Sequence, residues 1–141
     1  MSTALRGHVE KLSDHGHSEQ WPWHPKVHSP RSYLNMSEYV QITTTTGTRH
    51  DAEQIASELV SRRLAGCAQV TGPIASTFRW QGKVETAEEW LCTVKTSRAQ
   101  LGAIQKAFET IHPYEVPEVI ATPIVDGSEA YLKWLGEQLG S

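Results

Sequence analysis

"CAQVTGPIASTFRWQGKVETAEEWLCTVKT", Cys67 to Thr96, is the stretch on which the fold turns. From Cys67 to Trp80 the residues are β-like, with Ile74, Phe78 and Trp80 on one side of an extended chain. From Val84 to Thr96, Trp90, Cys92 and Val94 alternate in the same way. Period-two patterning on both sides of Gln81-Gly82-Lys83 predicts a long β-hairpin. At roughly 12 residues a side and about 3.3 Å per residue, the hairpin would project past a small domain as an arm able to bind a neighbour. With the turn centred near Gly82, Gly72 is expected opposite Cys92, leaving Cys67 about five positions, or on the order of 17 Å, away along the strand. That separation excludes a disulfide. Both thiols then read as small core residues of a reduced, cytoplasmic protein.

Toward the N-terminus, "YVQITTTT" (Tyr39 to Thr46) reads as a strand. Thr48, with Asp51 three residues on, opens a helix in the manner of a capping box. Ala52, Ile55, Ala56, Leu59, Val60 and Leu64 follow at helical spacing, and Gly66 is the expected residue just past its end. Toward the C-terminus, Ser97 and Gln100 suggest a second capping box before the stripe Leu101, Ile104, Phe108 and Ile111. A strand is expected in "EVIATPIV", residues 118–125, and a last helix from about Ser128 with Tyr131, Leu132, Leu135 and Leu139. The order is strand, helix, strand, strand, helix, strand, then a terminal helix. Right-handed crossovers place both main helices on one face of a four-stranded antiparallel sheet, an α+β ferredoxin-like sandwich with a hairpin arm. The other face is left bare. Trp, Phe and Val on it would form a patch too apolar for a soluble monomer, so a second copy is expected to cover it.

Composition sets further bounds. A length of 141 residues suits one domain. Residues 1–36 carry five of the seven histidines (His8, His15, His17, His24, His28) and three of the seven prolines without apolar periodicity, and read as a disordered tail. The folded domain is 37–141, with Met36 as the expected native start. The tail's imidazoles match no metal-site spacing. With 16 acidic against 13 basic residues, the basic excess that phosphate backbones require is missing, so no nucleic-acid partner is expected. No run of about 18 apolar residues predicts a membrane span, and no N-terminal stretch resembles a signal peptide. Phosphate-loop, dinucleotide and hydrolase motifs are missing, and "TTTTGT" with its single glycine reads as strand and turn. Neither an organic cofactor nor enzymatic activity is expected.

Chemistry concentrates in "TIHPYEVPEVIA", Thr110 to Ala121. Pro113 lacks an N–H and crowds the preceding turn, so the helix stops there. Both His112 and Val116 precede a proline and are driven to extended backbone. The result is a stiff joint that holds His112, Tyr114, Glu115 and Glu118 at little entropic cost, and firm loops of this kind concentrate function. A histidine at a helix end also commonly meets terminal carbonyls, and a tyrosine beside a sheet packs its ring. Both the functional and the structural reading stand at this point.

"RRLAGCAQV" (Arg62 to Val70), "FRWQGKVE" (Phe78 to Glu85), "VKTSRAQL" (Val94 to Leu101), "IHPYEVPEVIATPI" (Ile111 to Ile124) and "YLKWL" (Tyr131 to Leu135) together resemble the CutA family of divalent-cation tolerance proteins over about residues 38 to 139. The resemblance implies a tight homotrimer with sheets facing inward and arms exchanged, similar in architecture to the PII signalling proteins. It also implies a weak copper or zinc site in clefts between subunits, with His112, Glu115 and Glu118 as metal-binding candidates. Carried over by position, Arg79, Trp80 and Lys83 match the hairpin tip, while Lys95, Tyr114 and Trp134 complete the set expected to line the cleft. A PII-like sensor of a small anionic ligand is the alternative. Thr44 stands where some members carry a cysteine, and Ile111 where some carry a second histidine. Without thiolate or paired imidazoles, a tight copper site lacks its preferred donors.

Overall fold

The computed structural model describes residues 38–140. The expectations about a tail, its histidines and Met36 lie outside those residues. Among the described residues four strands and three α-helices make a mixed α+β domain: β1 (Tyr39–Thr46), α1 (Arg49–Ser61), β2 (Cys67–Trp80), β3 (Lys83–Ser97), α2 (Leu101–Ile111), β4 (Ile120–Pro123) and α3 (Glu129–Gln138). The sheet runs β2-β3-β1-β4 and every neighbouring pair is antiparallel.

The register sorts the side chains into two faces. Val40, Ile42, Thr44 and Thr46 of β1 stand opposite Thr96, Val94, Cys92 and Trp90 of β3. These residues face α1 and α2, where Ile55, Leu59, Ile104 and Phe108 join Ile42 and Val94 in one buried cluster. Such apolar burial, at about 25 cal/mol per Å², is what holds each helix's amphipathic stripe to the sheet. The opposite face is mostly polar, through Gln41, Thr43, Thr45, Thr93, Lys95 and Gln69, with Leu91, Ile120 and Tyr39 as its apolar members. That corrects the expectation of a bare Trp/Phe/Val face, because Phe78 and Trp80 lie on the arm, beyond the reach of β1.

The terminal helix covers one end of that opposite face. Leu135 is fully buried, and burial, with the neighbouring Cys67 thiol adding to it, pushes the Tyr131 phenol up to about 12. The Arg63 guanidinium donates to the carbonyls of Glu137 (2.8 Å) and Gln138 (3.0 Å), placing a cation where the last carbonyls of α3 lack partners.

Thr48 caps α1 as expected and Ser128, the expected start of the last helix, caps α3; they accept from the N–H of Asp51 and Tyr131 at 3.1 and 3.2 Å. Ser97 makes no capping bond; a short 3-10 turn, Arg98–Gln100, leads into α2 instead. Nor does Gly66 end the first helix. Arg63 takes the left-handed conformation (φ 60°), and the N–H groups of Arg63 and Leu64 return to the carbonyls of Val60 and Leu59, the Schellman closure usually built on glycine. Gly66 serves packing: a Cβ there would stand 2.5 Å from Leu135 Cδ1. The last strand begins at Ile120, later than Glu118 or Val119, and as an edge strand it tolerates Pro123.

The hairpin turns through Gln81 and Gly82, both at positive φ (50° and 78°), as a two-residue type I′ turn requires. Its register shifts between Thr71 and Ile74, where Gly72 and Pro73 form a bulge. The turn centre between Gln81 and Gly82 and the one-residue bulge each move the pairing by one position, so Cys92 faces Val70, not Gly72, and Cys67 faces Lys95. The two thiols point to opposite faces of the sheet, which keeps them apart, and both are free. Beyond Trp90, the last β3 residue paired with β1, the segments 74–80 and 83–89 pair only with each other. That two-stranded ribbon is about 23 Å long at 3.3 Å per residue.

Candidate functional site at the proline-braced joint

Two prolines separate the end of α2 from β4, so the chain between them cannot join either element and crosses the end of the sheet. It passes the C-terminal end of β1 and the start of α1. His112, at the C-cap of α2, turns inward and is 8% exposed. Its Nδ1 accepts the Tyr114 N–H at 3.1 Å, so that nitrogen carries no proton. Nε2 must therefore carry it, and it meets the Thr44 hydroxyl at 2.8 Å. Burial holds the imidazole below its ordinary pKa, against a hydrogen bond with the Thr45 backbone and the charge of Asp51, which favour protonation. The ring also packs edge-on against Phe108, centroids 5.2 Å apart.

Tyr114 extends the chain of contacts outward. Its hydroxyl donates to Glu89 Oε2 at 2.7 Å, joining the joint to the root of the arm. Burial, then the bond and charge of Glu89 and the charge of Asp51, push the phenol up to about 12. Glu118 accepts from the Thr43 hydroxyl at 3.4 Å, and Glu115 is exposed.

The structure brings only part of the expected set together. Among the described residues no group of three or more His, Cys, Asp or Glu side chains is placed to hold a metal ion. His112, Glu115 and Glu118 therefore do not form a ligand set within one chain, and both imidazole nitrogens are already engaged. Arg79, Trp80 and Lys83 are exposed at the arm tip. Lys95 lies six residues from Glu89 along β3, about 20 Å in the other direction, and donates to Gln69 Oε1 at 3.2 Å. Trp134 packs against Tyr131 on α3, the ring centroids 5.5 Å apart and the planes tilted by 38°. Thr44, Glu89 and Asp51 emerge as partners that motif reading missed. Thr44 was legible only as an inward β1 residue, and Glu89 only through the register.

The fold is a sheet-and-helix domain with a protruding hairpin, and its polar joint ties the central strand to the root of that hairpin through His112 and Tyr114. Comparison with known proteins defines the class. The family model described as "CutA1 divalent ion tolerance protein" matches residues 40–138. The divalent-cation tolerance protein CutA of Thermus thermophilus is 39% identical over 105 residues, which is 74% of this chain and 100% of that protein. A CutA homolog of Xenopus laevis is 43% identical over 86 residues, 61% of this chain and 57% of its own length. Among solved structures, CutA1 from Oryza sativa superposes with a TM-score of 0.72 at 33% identity, covering 74% of this chain and 95% of that one. This chain belongs to the CutA1 divalent ion tolerance family.

Proposed function

We propose that the chain acts as a homotrimer of ferredoxin-like subunits in tolerance or response to divalent metal ions, copper among them, and that it is not an enzyme. Family membership with the arm's exposed apolar surface is the observation that carries this reading. Phe78, Trp80 and Val84 are 42%, 60% and 65% exposed on a ribbon whose two strands, among the described residues, pair only with each other. Isolated two-stranded ribbons are marginal in water. Docking the arms on neighbouring copies would shelter these side chains, and clefts between copies would gather groups that one chain keeps apart.

In this reading metal contact is weak and falls to the exposed carboxylates Glu115 and Glu118 from more than one copy. His112 positions the joint rather than ligating, since both its ring nitrogens are engaged. A second reading, a PII-like sensor of a small anionic ligand, is favoured by one specific observation. Arg79 and Lys83 flank the exposed Trp80 at the tip, and none of the described ion pairs includes either cation. We place the protein in the cytoplasm on its two free thiols. No helix among the described residues is long and apolar enough to cross a membrane.

Light scattering of the full chain should return the mass of three chains, and a one-chain mass would overturn the assembly. Calorimetric titration with Cu²⁺ should show less heat for Glu115→Gln/Glu118→Gln than for wild type, the tail histidines contributing equally to both. Equal heats would refute the carboxylate site.

A further inference from the structure

We propose that the Tyr114–Glu89 hydrogen bond is a latch that sets the angle at which the hairpin arm leaves the sheet, with the Gly72–Pro73 bulge as its hinge. The root of the arm is where β1 stops: Thr46 pairs with Trp90, and Glu89 is the first β3 residue without a β1 partner. Directly across from Glu89 is Ile74, the residue after the bulge. A bulge interrupts the ladder and lets the strand bend, so without other contacts a ribbon of this length would swing about that point.

Adjacent residues on β3 face opposite sides, and at the root each is held. Trp90 lies so close over Gly72 that any Cβ at that position would collide with its ring, and the Arg49 guanidinium sits 5.8 Å from the Trp90 centroid. On the other side Glu89 accepts from Tyr114 at 2.7 Å. Tyr114 is itself fixed, its N–H on His112 Nδ1 and its ring 5.3 Å from the imidazole. His112 is in turn anchored on Thr44 of the central strand. Thr44, His112, Tyr114 and Glu89 thus form one continuous chain from the sheet to the arm. A single exposed-side bond at its end opens or closes without disturbing the core. The latch contacts lie within one chain, and with the arms docked on neighbouring copies as proposed above the latch sets the angle at which each arm meets its neighbour.

Amide hydrogen exchange on the full chain tests this. Tyr114→Phe keeps the ring and removes the donor. It should speed exchange at residues 74–76 and 87–89 by roughly 5- to 10-fold while core β1 amides stay unchanged. Glu89→Gln, whose amide oxygen still accepts, should give a smaller acceleration at the same amides. Root exchange within twofold of wild type in Tyr114→Phe would overturn the latch, whatever Glu89→Gln does. Acceleration spread evenly over the whole sheet would overturn it too, since that reports lost stability rather than a freed arm.

Discussion

A neutral, buried His112 makes stability depend on pH in a direction that can be worked out. Unfolded, the imidazole takes up a proton near pH 6.5; folded, burial lowers that value. Between the two the unfolded chain binds more protons, so stability falls as pH drops below about 6.5 and the loss is complete once pH passes the folded value. One proton sets the ceiling, about 1.4 kcal/mol per pH unit. Protonation would also cost the Tyr114 N–H its acceptor, because Nδ1 would then carry a hydrogen. His112→Gln keeps a donor toward Thr44 and cannot titrate. It should be less stable by about 1 kcal/mol at pH 7.5, for the lost Nδ1 acceptor, and should lose the wild-type dependence between pH 7.5 and 5.5. The assay is guanidinium unfolding at fixed chain concentration, since any assembly makes midpoints concentration-dependent. If the glutamine variant keeps the wild-type slope over that window, the assignment of a buried neutral imidazole is wrong.

Other expectations concern the ends of the helices. Leu135 is the fully buried residue of a ten-residue helix, and a helix that short is marginal alone. Leu135→Ala should cost about 2–5 kcal/mol and expose α3 to limited proteolysis; a cost below about 1 kcal/mol with α3 still protected would show that other contacts hold it. Thr48→Ala removes the acceptor for the Asp51 N–H and should cost about 1 kcal/mol, read from the same unfolding curves; no shift would mean water replaces the cap without loss.

Local pattern was enough for most of the elements. β-Branched and aromatic composition predicts β1, alternation predicts both arms of the hairpin, and the stripes of α1 and α2 emerge with buried residues among those expected, because these patterns are properties of the chain itself. Prolines 113 and 117 likewise announce a joint whatever surrounds it, since ring closure restricts the backbone without help from tertiary contacts. The resemblance carried in "IHPYEVPEVIATPI" identified the family by residue order alone. What the chain could not state locally were facts about approach and register. Gly66 resembles a helix terminator, yet the space beside it is claimed by Leu135, 69 positions later, while Arg63 accepts the left-handed conformation. The turn's centre and the bulge each moved the register by one position, together shifting the partner of Cys92 from Gly72 to Val70, and the bulge's single-residue slip decided which face Cys67 takes. Most of all, His112 is defined by Thr44, 68 positions away, and by the N–H of Tyr114, whose position depends on how the joint crosses the sheet. Donor atoms named by a motif become ligands, anchors or acids only when the tertiary structure settles which of their lone pairs and protons are already taken.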